Sequence, residues 1–168
     1  NNINLVAGQT VFVELRWDDS WGGSTRDFDL LLVNSSSVLV GLGADAQDGS
    51  AGNDPYEWVT YTAPTTGEYG VVIARFAGGL PSWIQIRMFN ASGFQYFTTA
   101  RSITPAAESF NPGLLAVGAA SWFDDDTIES FSSQGPTIDG RTKPDIVGVD
   151  RGDSATYGPS GFSGTSQS

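Results

Sequence analysis

Ser166, in the run Gly161-Phe162-Ser163-Gly164-Thr165-Ser166-Gln167-Ser168, is the residue whose setting most invites chemistry. A small residue at Gly164 lets backbone pack closely, Thr165 suits a helix N-cap, and Ser166 then falls in the first turn of the helix that would follow. Unpaired backbone N–H groups at such a place favour the negative charge that develops when a serine oxygen attacks a carbonyl. The same three residues also make ordinary turns and caps, so the tripeptide alone does not decide between a cap and a nucleophile. A serine nucleophile needs a base, and the chain has no histidine. It has no cysteine either, which removes disulfides, thiol nucleophiles and thiolate metal sites together.

The other residues able to do chemistry are acidic or aromatic. Asp18, Asp19, Asp27 and Asp29 gather around one loop, and Asp45, Asp48 and Asp54 around another. Hard oxygen ligands on glycine-rich loops are what calcium prefers, so the first four are a candidate calcium site. Solvated loop carboxylates are the competing reading, and the lack of a strict loop spacing favours it; no cofactor is required. Trp17, Trp21, Trp58 and Trp83 are candidates for a sugar-stacking platform, although large rings at strand positions more often fill a core.

The elements that must carry these residues differ between the two parts of the chain. From Asn1 to about Ala100 the pattern is of short strands separated by turn residues. Val11, Val13, Leu15 and Trp17 alternate with Phe12, Glu14, Arg16 and Asp18, which aims one row at a core. Further strands are expected at 27–34, whose apolar run suggests burial on both sides, and at 37–42, 56–63, 68–76, 82–90 and 94–98. Asn34-Ser35-Ser36, Ala63-Pro64-Thr65-Thr66-Gly67 and Ala77-Gly78-Gly79-Leu80-Pro81 supply turn chemistry between them. Seven strands without helical periodicity predict an antiparallel β-sandwich of jelly-roll-like topology over residues 1–100.

Composition narrows the partners. Eight basic against nineteen acidic residues give a formal charge of −11, which repels nucleic acid and anionic membranes. No apolar run is long enough to span a bilayer, and the start has neither the basic nor the apolar part of a signal peptide. The acidic, cysteine-free, glycine-rich and lysine-poor composition suits a secreted bacterial protein. The absence of a starting Met suggests an excised piece.

In residues 1–100, Gly8-Gln9 leads into a strand ending Arg16-Trp17-Asp18, followed by Asp27-Phe28-Asp29-Leu30 and then Pro64-Thr65-Thr66-Gly67-Glu68-Tyr69. This order resembles the bacterial pre-peptidase C-terminal type of sandwich. The resemblance implies an accessory role in substrate contact, steric gating or stability.

Beyond Arg101 the texture changes. The continuous apolar run Leu114-Leu115-Ala116-Val117-Gly118-Ala119-Ala120 suggests a strand covered on both faces, as in a parallel sheet with helices outside. Asn111-Pro112-Gly113 precedes it; Phe131-Ser132-Ser133-Gln134-Gly135-Pro136, Lys143-Pro144-Asp145-Ile146 and Phe162-Ser163-Gly164-Thr165-Ser166-Gln167-Ser168 follow. In order and spacing these segments resemble the subtilisin-like serine proteases. The resemblance implies that residues 101–168 are an incomplete piece of an α/β catalytic domain and that Ser166 is its nucleophile. Gly164 and Thr165 would support it, and the Ser166 N–H would enter an oxyanion hole.

It also implies that the triad aspartate, the histidine and the oxyanion asparagine lie outside this segment. Asp139, Asp145 and Asp150 fall at the wrong places in the motif order for the triad acid. Relatives usually read Ala-Pro-Gly where this chain has Gly148-Val149-Asp150, which puts the shape of that loop in question. The expectation is therefore a fragment of a secreted endopeptidase, with the sandwich as an insertion domain, acting on protein or peptide substrates only in the intact parent. The fragment itself should be inactive and prone to self-association through strand edges. The alternative is a non-catalytic β-sandwich that binds polysaccharide or protein.

Overall fold

The structure, a computed structural model, describes residues 1–91, 93–96, 111, 113–138, 140–159 and 162–166. The chain divides into two compact units, Asn1–Phe97 and Thr98–Ser168.

Seven strands build the first unit: β1 (Asn2–Leu5), β2 (Thr10–Trp17), β3 (Asp27–Asn34), β4 (Leu39–Gly43), β5 (Tyr56–Thr62), β6 (Gly67–Ala77) and β7 (Ile84–Phe89). They pair antiparallel into a four-stranded sheet of order β1-β6-β3-β4 and a three-stranded sheet of order β5-β2-β7. The alternation expected for β2 is realised: Val11, Val13, Leu15 and Trp17 are each at most 1% exposed. They share one hydrophobic cluster with Ile3 and Leu5 of β1, Phe28, Leu30 and Leu32 of β3, Val59 of β5, and Tyr69 and Val71 of β6. Both sheets thus turn one face to the same core, an arrangement consistent with a β-sandwich. Truncating one of these large side chains to alanine costs on the order of 2–5 kcal/mol.

Four expectations change. β1 was not foreseen; its Ile3 and Leu5 are buried while Asn2 and Asn4 face outward against β6. β3 is fully buried on one face only, since Asp29, Leu31 and Val33 are half-buried. The expected strand at 37–42 begins later, because Asn34 turns the chain: its Oδ1 accepts from the N–H groups of Ser36 and Val38 at 2.9 and 3.0 Å, and Ser37 sits at φ 60°. Phe94–Tyr96 form no strand, and residues 97–98 lie outside the described ones.

The second unit holds β8 (Val117–Ser121), β9 (Asp124–Ile128) and β10 (Ile146–Asp150), in the order β10-β8-β9. β10 runs parallel to β8, and β9 antiparallel. Central β8 is lined by small residues, and Gly118, Ala119 and Ala120 are buried. The parallel pairing agrees with the unbroken apolar run of 114–120, whereas the helices expected to flank it do not occur among the described residues. No described helix is long and apolar enough to cross a membrane.

Candidate functional site

The segments singled out before Ser166 interlock around β8. The Ser132 hydroxyl accepts the Ala119 N–H at 3.0 Å, and a side chain at Gly118 would meet that oxygen and the Pro144 ring at 3.0 and 2.9 Å. Gly135 donates its N–H to the Lys143 carbonyl at 2.8 Å, and a Cβ there would stand 2.3 Å from the same oxygen. Only glycine permits that approach. Asp145 takes the Ala116 N–H at 2.7 Å and pairs with Lys143 Nζ at 2.5 Å. Lys143 first, and the Ala116 N–H with it, hold its carboxyl below the usual carboxylate range. Asp145 therefore anchors the start of β8.

Asp150, the last residue of β10, is 0% exposed. Its Oδ2 accepts from the Ser163 hydroxyl at 3.1 Å and its Oδ1 from the Gly164 N–H at 3.0 Å. Burial pushes this carboxyl up, but hydrogen bonds from the Gly164 and Arg151 N–H groups and the Ser163 hydroxyl outweigh it and hold the group below its ordinary range. Beside this contact the Phe162 ring meets that of Tyr157 at 5.1 Å. Sequence reasoning saw Asp150 as a departure from Ala-Pro-Gly and set it aside as the triad acid; its partners stand 13 and 14 residues downstream, with no local signal linking them.

Thr165 and Ser166 form an exposed turn. A Cβ on Gly164 would lie 3.6 Å from Ser166 Oγ, so the hydroxyl rests over the Gly164 backbone. No described residue bonds the hydroxyl or the N–H of Ser166. The helix expected after Thr165 falls at Gln167 and Ser168, outside the described residues, as do Gly161 and Asp139.

The acidic loop residues serve mostly as acceptors. Asp19 takes four donors at 2.9 Å: the N–H groups of Ser20, Thr25 and Arg26 and the Ser24 hydroxyl. Burial raises its carboxyl, yet these bonds bring it down to about 2. The Asp18 carbonyl accepts from Arg26. Asp54 accepts the Gly22 N–H at 2.8 Å, and Asp48 takes the Ser50 N–H and the Asn53 amide at 2.9 and 3.1 Å. Buried Asp27 keeps Oδ1 without a hydrogen-bond donor, and Asp29 beside it is pushed up by burial and then by the Asp27 charge. Among the described residues no group of three or more acidic side chains is arranged to hold a metal ion.

The four tryptophans do not make one platform. Trp17 is core and meets Phe28 at 5.3 Å; Trp83 lies under the Arg16 guanidinium at 5.7 Å. Trp21 is exposed, and Trp58 stands on the outer face of β5-β2-β7, 51% exposed, 5.9 Å from Phe12, which also meets Phe89 at 5.8 Å. One cleft of about 320 Å³ opens among Asn4, Leu5, Val6, Gln9, Thr66 and Gly67, in the first unit. No protein-family model matches the sequence, and no curated protein matches it.

Proposed function

We propose that this chain is the nucleophile-bearing part of a secreted, bacterial, subtilisin-like serine endopeptidase, carrying a pre-peptidase C-terminal-like sandwich as an inserted accessory domain. The observation that supports it best is the exposed Ser166 turn, tied two residues earlier to the end of β10, which pairs with β8, the strand around which the other motif segments interlock. In the reaction a histidine from outside these 168 residues takes the Ser166 Oγ proton as the oxygen attacks a peptide carbonyl carbon. The C–N bond then breaks, the histidine returns the proton to the departing amine, and water hydrolyses the acyl-enzyme. The Ser166 N–H, unengaged by any described residue, is one donor for the oxyanion.

The substrates are proteins or peptides, and the −11 charge argues against nucleic acid and membrane partners. No cofactor is needed. Of the candidate calcium set Asp18, Asp19, Asp27 and Asp29, Asp19 is already taken up by four hydrogen-bond donors, whereas Asp27 Oδ1 is buried without one. The test is reactivity of Ser166. The 168-residue chain should hydrolyse no peptide and take up no fluorophosphonate. A polypeptide joining it to a histidine-bearing segment should be labelled at Ser166 and silenced by Ser166→Ala. Turnover by the 168 residues alone, lost in Ser166→Ala, would overturn the need for an outside base; labelling elsewhere would overturn the role of Ser166.

One observation favours a second reading, a binding module. Phe12, Trp58 and Phe89 form a connected aromatic patch on the sheet face turned away from the core, with Trp58 and Phe89 about half exposed. Such rings stack on sugars or apolar peptide side chains. Titrating the chain with polysaccharides and collagen-like peptides, following tryptophan fluorescence, separates the readings: saturable binding lost in Trp58→Ala supports the module, and silence rejects it.

A further inference from the structure

We infer that Asp150 is a positioning residue for Ser166, acting through Ser163 and Gly164. The inference rests on reading Ser166 as the nucleophile, but its geometry can be tested apart from that reading. The carboxylate starts from a fixed point. Asp150 pairs in register with Ser121 of β8, and its carbonyl accepts the Trp122 N–H at 3.1 Å. Immediately after it the chain turns sharply at Arg151, φ 63°, a conformation uncommon for a residue with a side chain. Arg151 is itself held by Glu129, with Nε–Oε1 at 2.8 Å and Nη2–Oε2 at 3.2 Å. Glu129 in turn donates its N–H to the Ala119 carbonyl of β8 at 2.9 Å.

From that fixed point each carboxylate oxygen takes a different donor, the Ser163 O–H and the Gly164 N–H. A buried carboxylate is costly unless its oxygens are satisfied, so the loop arrangement that brings both donors together is selected over its alternatives. Gly164 is two residues from Ser166, and each Cα–Cα step is about 3.8 Å, which leaves the serine a short tether. Displacement of a reacting group by about 1 Å can cost on the order of a hundredfold in rate. A serine hydroxyl can accept as well as donate, so an asparagine at 150 could also hold both partners, its Oδ1 taking the Gly164 N–H and its amide donating to Ser163; what the site requires is a short polar side chain that reaches both. An Ala-Pro-Gly sequence at 148–150 has no side chain able to do this.

The test uses the 168-residue chain, with amide exchange and shifts read by NMR for wild type, Asp150→Ala, Ser163→Ala and Ser163→Thr. In Asp150→Ala the Gly164 amide should exchange at least about tenfold faster, as expected for losing a hydrogen bond to a charged group. The Ser166 amide resonance should move, and Ala119 and Ala120 of β8 should keep their protection. Ser163→Ala should give a smaller change of the same pattern, and Ser163→Thr, which keeps the hydroxyl, should restore wild-type behaviour. An unchanged Gly164 amide, or equal acceleration at Ala119 and Ala120, would mean that Asp150 positions nothing or supports the sheet alone. Should Asp150→Ala not fold, the Ser163 pair decides, and equal behaviour of the alanine and threonine variants overturns the inference. An intact clamp beside a serine that never takes up fluorophosphonate in a histidine-bearing polypeptide would count against the nucleophile and leave the clamp standing.

Discussion

Glu57 is a carboxyl group inside the sandwich core, and replacing it with glutamine should make the protein more stable at neutral and alkaline pH. It lies on the inward row of β5 with Val59, opposite Leu15 of β2, and is 1% exposed. Its Oε1 accepts from the Asp45 N–H and the Gln47 amide, both at 2.8 Å, and Gln47 is itself buried. Oε2 lies close to β4, where a Cβ on Gly43 would come within 2.8 Å of it. Burial pushes this carboxyl from 4.5 up to about 7; the two hydrogen bonds pull it down, and the Asp45 and Asp29 charges add to the rise.

The sign follows from proton counting. Below about pH 4 both folded and unfolded chains hold the proton, and nothing is lost. Between pH 4.5 and 7 the unfolded chain releases it while the folded chain keeps it, so stability falls as pH rises, and above 7 the deficit is constant. A displacement from 4.5 to about 7, at 1.36 kcal/mol per unit, corresponds to a deficit of about 3 kcal/mol. In Glu57→Gln the side-chain carbonyl can still accept both bonds and there is no proton to lose. Urea unfolding followed by tryptophan fluorescence, with core Trp17 as reporter, should find the two proteins close at pH 4 and the variant ahead by about 3 kcal/mol at pH 8. Parallel stability profiles from pH 4 to 8 would refute the reasoning, since they would mean that Glu57 titrates as it does in the unfolded chain.

Asp19→Ala removes all four acceptor contacts in the loop before β3 and should destabilise the first unit by about 2 kcal/mol at pH 7, less than the sum of the bonds because the site is partly solvated. Since the Asp19 carboxyl is depressed to about 2, its contribution is present above about pH 4 and lost as pH falls toward 2, so acid unfolding of the variant should lack that part of the wild-type decline; identical acid profiles would contradict it. β10 is an edge strand with Ile146, Val147 and Val149 40–57% exposed, so the chain should self-associate through it, with a light-scattering mass that rises with concentration and falls back in Val149→Lys. A strictly monomeric wild type would count against that.

Where alternation was clean, the sequence could be read directly. β2 has the expected inward face, because apolar side chains at period two leave a strand little choice of which side to bury, whereas β3 has the expected ends but is fully buried on one face where its apolar run suggested two. β1 escaped notice because four residues, two of them asparagine, carry too little hydrophobic signal; its burial comes from pairing with β6, more than sixty residues away. Ser37 read as strand because its local sequence is unremarkable and the turn is imposed by Asn34 behind it. Glu57 was recoverable: the alternation of Tyr56–Thr62 places it on the row of Val59, and a carboxyl on an apolar row is itself a sign of a shifted group.

The site divides along the same line. Ser166 was singled out only together with the ordered segments upstream of it, whereas the contacts that hold its turn were not legible, because Asp150 meets Ser163 and Gly164 only after β10 has aligned with β8. A motif records the residues that must be chemically particular; the residues that orient them need only be acceptors or donors at the right point in space, and many sequences satisfy that. Gly148-Val149-Asp150, set against the Ala-Pro-Gly of the proposed family, is a case in point. As a string it is a loss of pattern, and in three dimensions it supplies the one buried carboxylate that both donors before Ser166 reach. Departures from a motif that introduce a charge at a strand end are therefore places to look for a compensating contact, and the contact, rather than the motif, says what the departure is for.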